Sequence, residues 1–213
     1  MTELKLLPRE KLIKTGDVDH ADWNFKGILG RIQRTRFELI VSVLGSLRPQ
    51  RLLEVGYGSG IFMPELARRC RELYGVDVHG RHAEVAEALR TEGVTAQLFR
   101  GSAEALDFPD RYFDCIVAVS SLEFIGDIGK AARELRRVLS DSGCLVMVTP
   151  GHSAVVDLGL KILTGASARK DYGSRREALL PTLTQFFSYD RRRTFPPLTG
   201  PFCLYQALKL SGK

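Results

Sequence analysis

The fold depends on one stretch of sequence, Leu52-Leu53-Glu54-Val55-Gly56-Tyr57-Gly58-Ser59-Gly60-Ile61. Its first half is apolar apart from one glutamate, as in a buried strand, and its second half has glycine at every other position. Glycines there allow positive φ and let a ligand approach the backbone closely, while a following helix offers free N–H groups to an anion. The stretch therefore predicts a strand, a ligand-binding turn and then a helix.

A dinucleotide-binding turn is one interpretation of these glycines and would make the protein a nicotinamide-dependent oxidoreductase. Such a turn has the pattern GxGxxG, whose third small residue leaves room for the pyrophosphate and for close packing of the helix. Counted from Gly56 and Gly58, that third position is Ile61. The pattern in this chain is ExGxGxG, which disfavours the oxidoreductase.

Apolar runs alternate with helical segments after this turn, and the alternation predicts an α/β fold whose mostly parallel sheet has helices on both faces. The predicted strands cover 51–55, 73–78, 95–100, 113–119 and 144–149, and the predicted helices cover 63–70, 81–92 and 128–139. A helix is also predicted over 25–47 from apolar positions spaced close to 3.6 residues apart. Beyond residue 151, we expect helices over 155–163 and 177–187 and closing strands over 189–194 and 202–208.

The length and composition indicate one soluble globular domain, since 44% of the 213 residues are hydrophobic and 26% are charged. The N-terminus lacks the apolar stretch of a signal peptide, and no apolar run approaches the roughly 18–20 residues of a membrane span. The four cysteines are too far apart for a CxxC motif, and two of them lie in apolar runs. We therefore expect reduced core thiols, a cytoplasmic location and no metal site.

The charge is unevenly distributed along the chain. The net charge of +6 divides into +3 for residues 1–50, −3 for 51–150 and +6 for 151–213. A basic chain suggests nucleic acid, but binding to RNA would need a wider basic surface with stacking aromatics or an added module. An anionic or amphipathic small molecule, recognised where the two ends meet, is the favoured partner.

The pattern ExGxGxG and the segments after it resemble the class I S-adenosylmethionine-dependent methyltransferases, in particular the subfamily that includes the quinone-ring C-methyltransferases. The resemblance covers about residues 50–151. It implies a Rossmann-like three-layer sandwich with a seven-stranded, mostly parallel sheet and an antiparallel end strand. It also implies S-adenosyl-L-methionine as the cofactor, with contacts to its methionine moiety from Glu54, Gly56, Tyr57, Gly58 and Gly60.

Three further segments carry the resemblance. In Leu73-Tyr74-Gly75-Val76-Asp77-Val78 the acid ends a strand, where it can accept hydrogen bonds from both ribose hydroxyls, and the resemblance implies that Val78 packs on the adenine. The loop 101–110 resembles the one that lines the adenine, with Ser102 in place of the usual aspartate. The strand 113–119 directs its C-terminal end toward the cofactor. The implied contacts from these last two segments are Ser102, Ala103, Glu104 and Val119.

Methyl transfer needs alignment and exclusion of water, and an acceptor with a proton to lose also needs a general base. Three residues are candidates for that base: Glu123 after the fourth strand, His152 after the fifth, and His20 in the N-terminal segment. We accordingly expect residues 1–50 to form a helical cap, 51–150 the cofactor-binding core, and 151–213 the acceptor side of one domain. The expected function is methyl transfer to a small or lipid-like acceptor, and the alternative is a non-catalytic protein that binds the cofactor to regulate a partner.

Overall fold

A computed structural model describes residues 3–16, 19–151, 175–197 and 203–213. Its strands are β1 (Arg51–Val55), β2 (Glu72–Asp77), β3 (Gln97–Arg100), β4 (Phe113–Val119), β5 (Leu139–Pro150), β6 (Phe187–Phe195) and β7 (Tyr205–Gly212). Its helices are α1 (Gly27–Leu44), α2 (Met63–Ala67), α3 (His82–Thr91), α4 (Ile128–Val138) and α5 (Arg175–Phe186). Short 3-10 helices cover Arg9–Lys11, Ala21–Phe25 and Leu122–Phe124.

The seven strands form one sheet in the order β3-β2-β1-β4-β5-β7-β6. Neighbouring strands from β3 to β5 pair in parallel, whereas β7 is antiparallel to both β5 and β6. This confirms the expected mostly parallel sheet with a reversed strand at one end. The chain crosses over between β1 and β4, and the carboxyl ends at such a crossover are where open α/β sheets bind ligands.

Two hydrophobic cores lie on opposite faces of the sheet and complete a three-layer sandwich. One core joins the sheet to α1, α2 and α3, and the other joins it to α4 and α5. In β4 the side chains alternate between the cores, because Cys115 and Val117 face the first core while Ile116 and Ala118 face the second. The strand is buried on both faces, as its continuous apolar sequence predicts.

Several predicted boundaries were wrong, and two of them have a local reason. Helix α1 ends at Leu44 rather than 47, because Gly45 adopts a φ of +60° and leaves the helical conformation. The fifth strand starts at Leu139 rather than 144, because residues between Leu139 and Cys144 bulge out of its ladder with β4. The last strand covers Tyr205–Gly212 rather than 202–208. The predicted helix over 155–163 lies outside the described residues.

Candidate functional site

The turn after β1 has the geometry that its glycines predict. Gly56, Gly58 and Gly60 have φ of 75°, 51° and 73°, which side chains rarely adopt. A Cβ on Gly56 would lie 2.4 Å from the Cβ of Ser121, and one on Gly60 would lie 2.9 Å from Val85 Cγ1. The first and third glycines are therefore required by the close approach of β4 and α3 to the turn.

Asp77 holds this turn against the end of β2. One carboxylate oxygen accepts a 2.8 Å hydrogen bond from the Gly58 N–H, and the other accepts a 3.3 Å bond from the His79 N–H. Each oxygen has a further lone pair, so the carboxylate can still accept bonds from a ligand. The predicted partners of the cofactor's ribose and methionine moieties thus lie side by side.

His79 also ties the turn to β2, a role that its place in the sequence does not predict. Its Nε2 lies 3.0 Å from the carbonyl oxygen of Gly58, and its Nδ1 lies 3.1 Å from the backbone nitrogen of Arg81. Because the Arg81 N–H must donate, Nδ1 accepts and Nε2 carries the proton that bonds Gly58. The only signal in the sequence was its place two residues after Asp77.

Buried polar atoms without partners lie beneath the glycine turn. In the described part of the chain, Glu54 Oε2, the Tyr57 hydroxyl and the Ser59 hydroxyl are buried and have no hydrogen-bond partner. Burial, followed by the charge of Asp77, raises the pKa of Glu54 well above its ordinary value. Such groups are rare in folded proteins unless a ligand or water completes them. The turn therefore fits the polar, partly cationic methionine end of the expected cofactor.

The predicted adenine contacts lie around the end of β2. Val78 is 69% exposed, which leaves an apolar surface beside Asp77 for a flat ring. The Ser102 hydroxyl accepts a 3.1 Å bond from the Glu104 N–H, and Ala103 is buried. The Glu104 carboxylate accepts a 3.0 Å bond from the Asp127 N–H, so it already has a structural role. These adenine contacts remain predictions.

Val119 and Ile61 flank the same turn. Val119 is half-buried at the carboxyl end of β4, as predicted. Ile61 is buried in the first core, and its carbonyl accepts a 2.9 Å bond from the Leu7 N–H. A dinucleotide site would need a small residue where this side chain fills the core. The structure thus gives a packing reason for the departure from GxGxxG.

The described N-terminal segment crosses the glycine turn. Besides the bond from Leu7, the Lys5 N–H donates to Glu65 over 2.9 Å, and Arg81 donates to the Lys14 carbonyl over 2.7 Å. The Thr15 hydroxyl lies 3.9 Å from where a Cβ on Gly58 would stand. These contacts agree with a cap over the cofactor side, which remains a prediction.

A buried group of ionisable side chains, here called the edge cluster, lies at the carboxyl edge of β4. Glu123 is 0% exposed, and within the described ranges neither of its carboxylate oxygens has a hydrogen-bond partner of normal geometry. Burial raises its pKa to about 7, and the charges of Arg176 and Arg36 oppose that rise. Tyr205 also interacts electrostatically with Arg36 and Glu123. The edge cluster comprises Glu123, Arg36, Arg176 and Tyr205.

Of the three predicted bases, the structure brings only Glu123 into this cluster among the residues it describes. The other cluster members lie on α1, α5 and β7, where sequence spacing alone gives no sign of their proximity. His20 is exposed and its ring stacks on Trp23 at 4.2 Å, so its catalytic role remains a prediction. His152 lies outside the described residues.

The raised pKa of Glu123 predicts a pH-dependent stability. Between about pH 4.5 and 7 the folded protein keeps a proton that the unfolded chain has released, so the free energy of unfolding falls as pH rises. The total loss is about 3 kcal/mol, at about 1.4 kcal/mol per pH unit. In urea titrations, we expect the free energy of unfolding of wild type to fall relative to that of Glu123→Gln across this range. Above pH 7 the two curves of free energy against pH should be parallel. The exposed Glu87→Gln variant is the control, and its curve should be parallel to that of wild type throughout. A parallel curve throughout for Glu123→Gln as well would contradict the raised pKa.

Two kinds of feature are absent from the described residues. No group of three or more His, Cys, Asp or Glu side chains there could hold a metal ion. No helix in those residues combines the length and apolar character that crossing a bilayer requires.

Cys115 and Cys144 are buried free thiols 3.9 Å apart on paired strands.

Comparison with known proteins finds relatives of the segment that contains this site. Residues 53–147 match the family model described as "Methyltransferase domain". The methyltransferase YcgJ of Bacillus subtilis is 36% identical over 100 residues, covering 46% of this chain and 40% of that protein. The ubiquinone/menaquinone biosynthesis C-methyltransferase UbiE of Vibrio cholerae is 31% identical over 150 residues, covering 65% of this chain and 58% of that protein. The chain thus spans about half the length of these relatives.

Solved structures share the whole fold. The N-methyltransferase NodS of Bradyrhizobium japonicum, in complex with S-adenosyl-L-homocysteine, matches with a TM-score of 0.65 and 19% identity. The match covers 92% of this chain and 93% of that one. The segment matched by the family model contains the glycine turn, Asp77 and Glu123, and the fold around it is that of these enzymes. Residues 53–147 therefore belong to the methyltransferase domain family, which confirms the resemblance to the S-adenosylmethionine-dependent methyltransferases.

Proposed function

We propose that the protein transfers a methyl group from S-adenosylmethionine to a small-molecule or lipid-like acceptor. One observation carries this proposal: the glycine turn and the loop of Glu123 are in direct contact. The Ser121 hydroxyl donates a 2.6 Å bond to the Val55 carbonyl, and its Cβ fills the space that a side chain on Gly56 would occupy. The cofactor side and the buried carboxyl group are therefore two neighbouring parts of one edge of the sheet.

The cofactor, when bound, supplies a methyl group on a positively charged sulfur, and the carbon–sulfur electron pair returns to sulfur on transfer. The chain's own residues bind and align it. The backbone of the glycine turn would hold the methionine end, the Asp77 carboxylate would accept bonds from the ribose hydroxyls, and Val78 would pack on the adenine. Alignment of this kind can contribute much of the acceleration in an in-line displacement.

Glu123 is the proposed proton acceptor for the methyl acceptor. Its carboxylate is buried beside the glycine turn, and a base with a pKa of about 7 is poised between holding and releasing a proton near neutral pH. Burial also excludes the water that would compete for the acceptor's proton. His20 and His152 remain predicted alternatives for this role.

The acceptor is proposed to be a small molecule, with support from the relatives. UbiE is named for C-methylation in ubiquinone and menaquinone biosynthesis, and NodS is named as an N-methyltransferase. These two names cover different acceptor atoms, so the acceptor atom must be inferred from the edge cluster of this chain.

Ligand-induced stabilisation tests the proposed cofactor. At about 100 times its Kd, S-adenosylhomocysteine should stabilise the fold by about 2.7 kcal/mol, which corresponds to a rise in Tm of roughly 5–10 °C for a chain of this size. NAD⁺ at the same concentration should leave the Tm unchanged, because Ile61 fills its pyrophosphate position. Stabilisation by NAD⁺, or no response to S-adenosylhomocysteine, would overturn the proposed cofactor.

A further inference from the structure

The edge cluster contains a carboxyl group and a guanidinium that interact electrostatically without forming a direct bond. Glu123 is fully buried, and the charge of Arg36 acts on it. The Nε of Arg36 is buried too, and it has no hydrogen-bond partner in the part of the chain that the structure describes. No ion pair within 4.0 Å joins the two side chains there. The two opposite, incompletely satisfied groups therefore belong to one cluster without bonding to each other directly.

Stability alone does not explain this arrangement. A buried carboxyl group with unsatisfied oxygens is costly, and a buried ion pair repays its desolvation only when its geometry is close. The fold instead holds Arg36 on α1 and Glu123 after β4 at a separation that permits no direct bond. Polar groups kept apart in this way are typical of sites where a ligand completes the contacts.

The charges around Glu123 favour a ligand that carries negative charge. The charges of Arg36 on α1 and Arg176 on α5 act on Glu123, and Tyr205 on β7 also interacts with it electrostatically. Two of these groups are cationic, and burial raises the pKa of Tyr205, which keeps its hydroxyl neutral. A protonated amine would meet the positive charge of Arg36, whereas an acid that gives its proton to Glu123 would leave its anion facing that charge.

We propose that the methyl acceptor binds between Glu123 and Arg36 as a neutral acid, either an O–H group or a C–H group beside a carbonyl, and that Arg36 stabilises its conjugate base. The inference rests on the proposed function and names its substrate class. The X–H bond breaks, the proton goes to a Glu123 oxygen, and the electron pair stays on the acceptor atom for methyl transfer. The proton later leaves Glu123 for solvent. Arg36 is thus a specificity-determining residue that selects acids over amines.

A chromophoric acid tests the proposal without turnover. 4-Nitrophenol absorbs visible light as its anion and not as the neutral phenol, so absorbance reports its ionisation when bound to the complex with S-adenosylhomocysteine. At a pH where the free probe is half ionised, wild type should raise the ratio of anion to neutral form at least about fivefold. Arg36→Gln should remove this shift, and Arg36→Lys, which keeps the charge, should retain most of it.

Arg31→Gln is the matched control, because Arg31 lies on the same helix and is exposed. It should leave the probe's ionisation as in wild type. The proposal is overturned if the probe does not bind, if it binds without a shift, if both glutamine variants act alike, or if benzylamine binds more tightly than 4-nitrophenol. Calorimetry with S-adenosylhomocysteine distinguishes failure of the proposed function from failure of this inference. If wild type does not bind S-adenosylhomocysteine, the proposed function is refuted. If wild type binds it but does not shift the ionisation of 4-nitrophenol, only this inference is refuted.

Discussion

Replacing Gly56 with alanine is expected to abolish measurable binding of S-adenosylhomocysteine, with a loss of roughly 100-fold or more. The new methyl group would stand 2.4 Å from the Ser121 Cβ, so either the turn or the end of β4 must move. Strain from the positive φ costs about 1–2 kcal/mol, and overpacking typically adds about 1–3 kcal/mol. At roughly 2–4 °C per kcal/mol, the Tm should fall by about 5–15 °C.

Gly93→Ala provides a matched control for the backbone strain alone. Gly93 has a φ of 72°, close to the 75° of Gly56, but a Cβ there would meet nothing within 4 Å. Its Tm should fall by only about 2–8 °C, with binding of S-adenosylhomocysteine unchanged. Adding Ser121→Gly to Gly56→Ala should recover part of the lost stability, because it removes the clashing Cβ. Equal losses for the two alanine variants would contradict the packing argument.

Replacing Asp77 with alanine is expected to weaken S-adenosylhomocysteine binding at least tenfold in calorimetry. The carboxylate bonds the backbone N–H groups of Gly58 and His79, and each of its oxygens keeps a lone pair for the proposed contact with the ribose. Hydrogen bonds to a charged group contribute about 1.5–3 kcal/mol, and about 1.4 kcal/mol corresponds to a factor of ten. The loss combines a missing ligand contact with a loosened turn.

Two further variants separate these contributions. Asp77→Asn keeps the size of the side chain but turns one acceptor into an NH₂ donor, so it cannot accept both backbone bonds and should bind nearly as weakly as alanine. Asp190→Ala removes an exposed aspartate from β6, at the other edge of the sheet, and should bind like wild type. Unchanged affinity in Asp77→Ala would reject the ribose assignment.

The cofactor half of the site could be predicted from the sequence because its signals are local. The glycines of the turn must adopt positive φ, and Asp77 must end a strand beside them. Both requirements can be recognised from a few consecutive residues. The role of His79 could not be predicted, because a histidine that follows a strand is compatible with many roles. Its role here depends on contacts of its two ring nitrogens with the Gly58 carbonyl and the Arg81 N–H.

Of the edge cluster, the sequence indicated only Glu123. Arg36, Arg176 and Tyr205 reach it from three elements far apart in the chain, and their proximity depends on how α1, α5 and β7 pack against the sheet. The start of the fifth strand was missed for a similar reason. Polar residues before Cys144 suggest a turn, yet they form a bulge because Leu139 already pairs with Phe113.

The reversed strand has a consequence for how the sheet holds together. Within the described sheet, β6 forms its ladder only with β7, and β7 alone connects it to β5. Opening of β7 therefore releases β6 as well, so the two strands form one cooperative unit. Because β7 begins with Tyr205, any fluctuation that frays its first residues disturbs the edge cluster while leaving the glycine turn in place. Local unfolding at this end can therefore change the surroundings of Glu123 without disturbing the glycine turn.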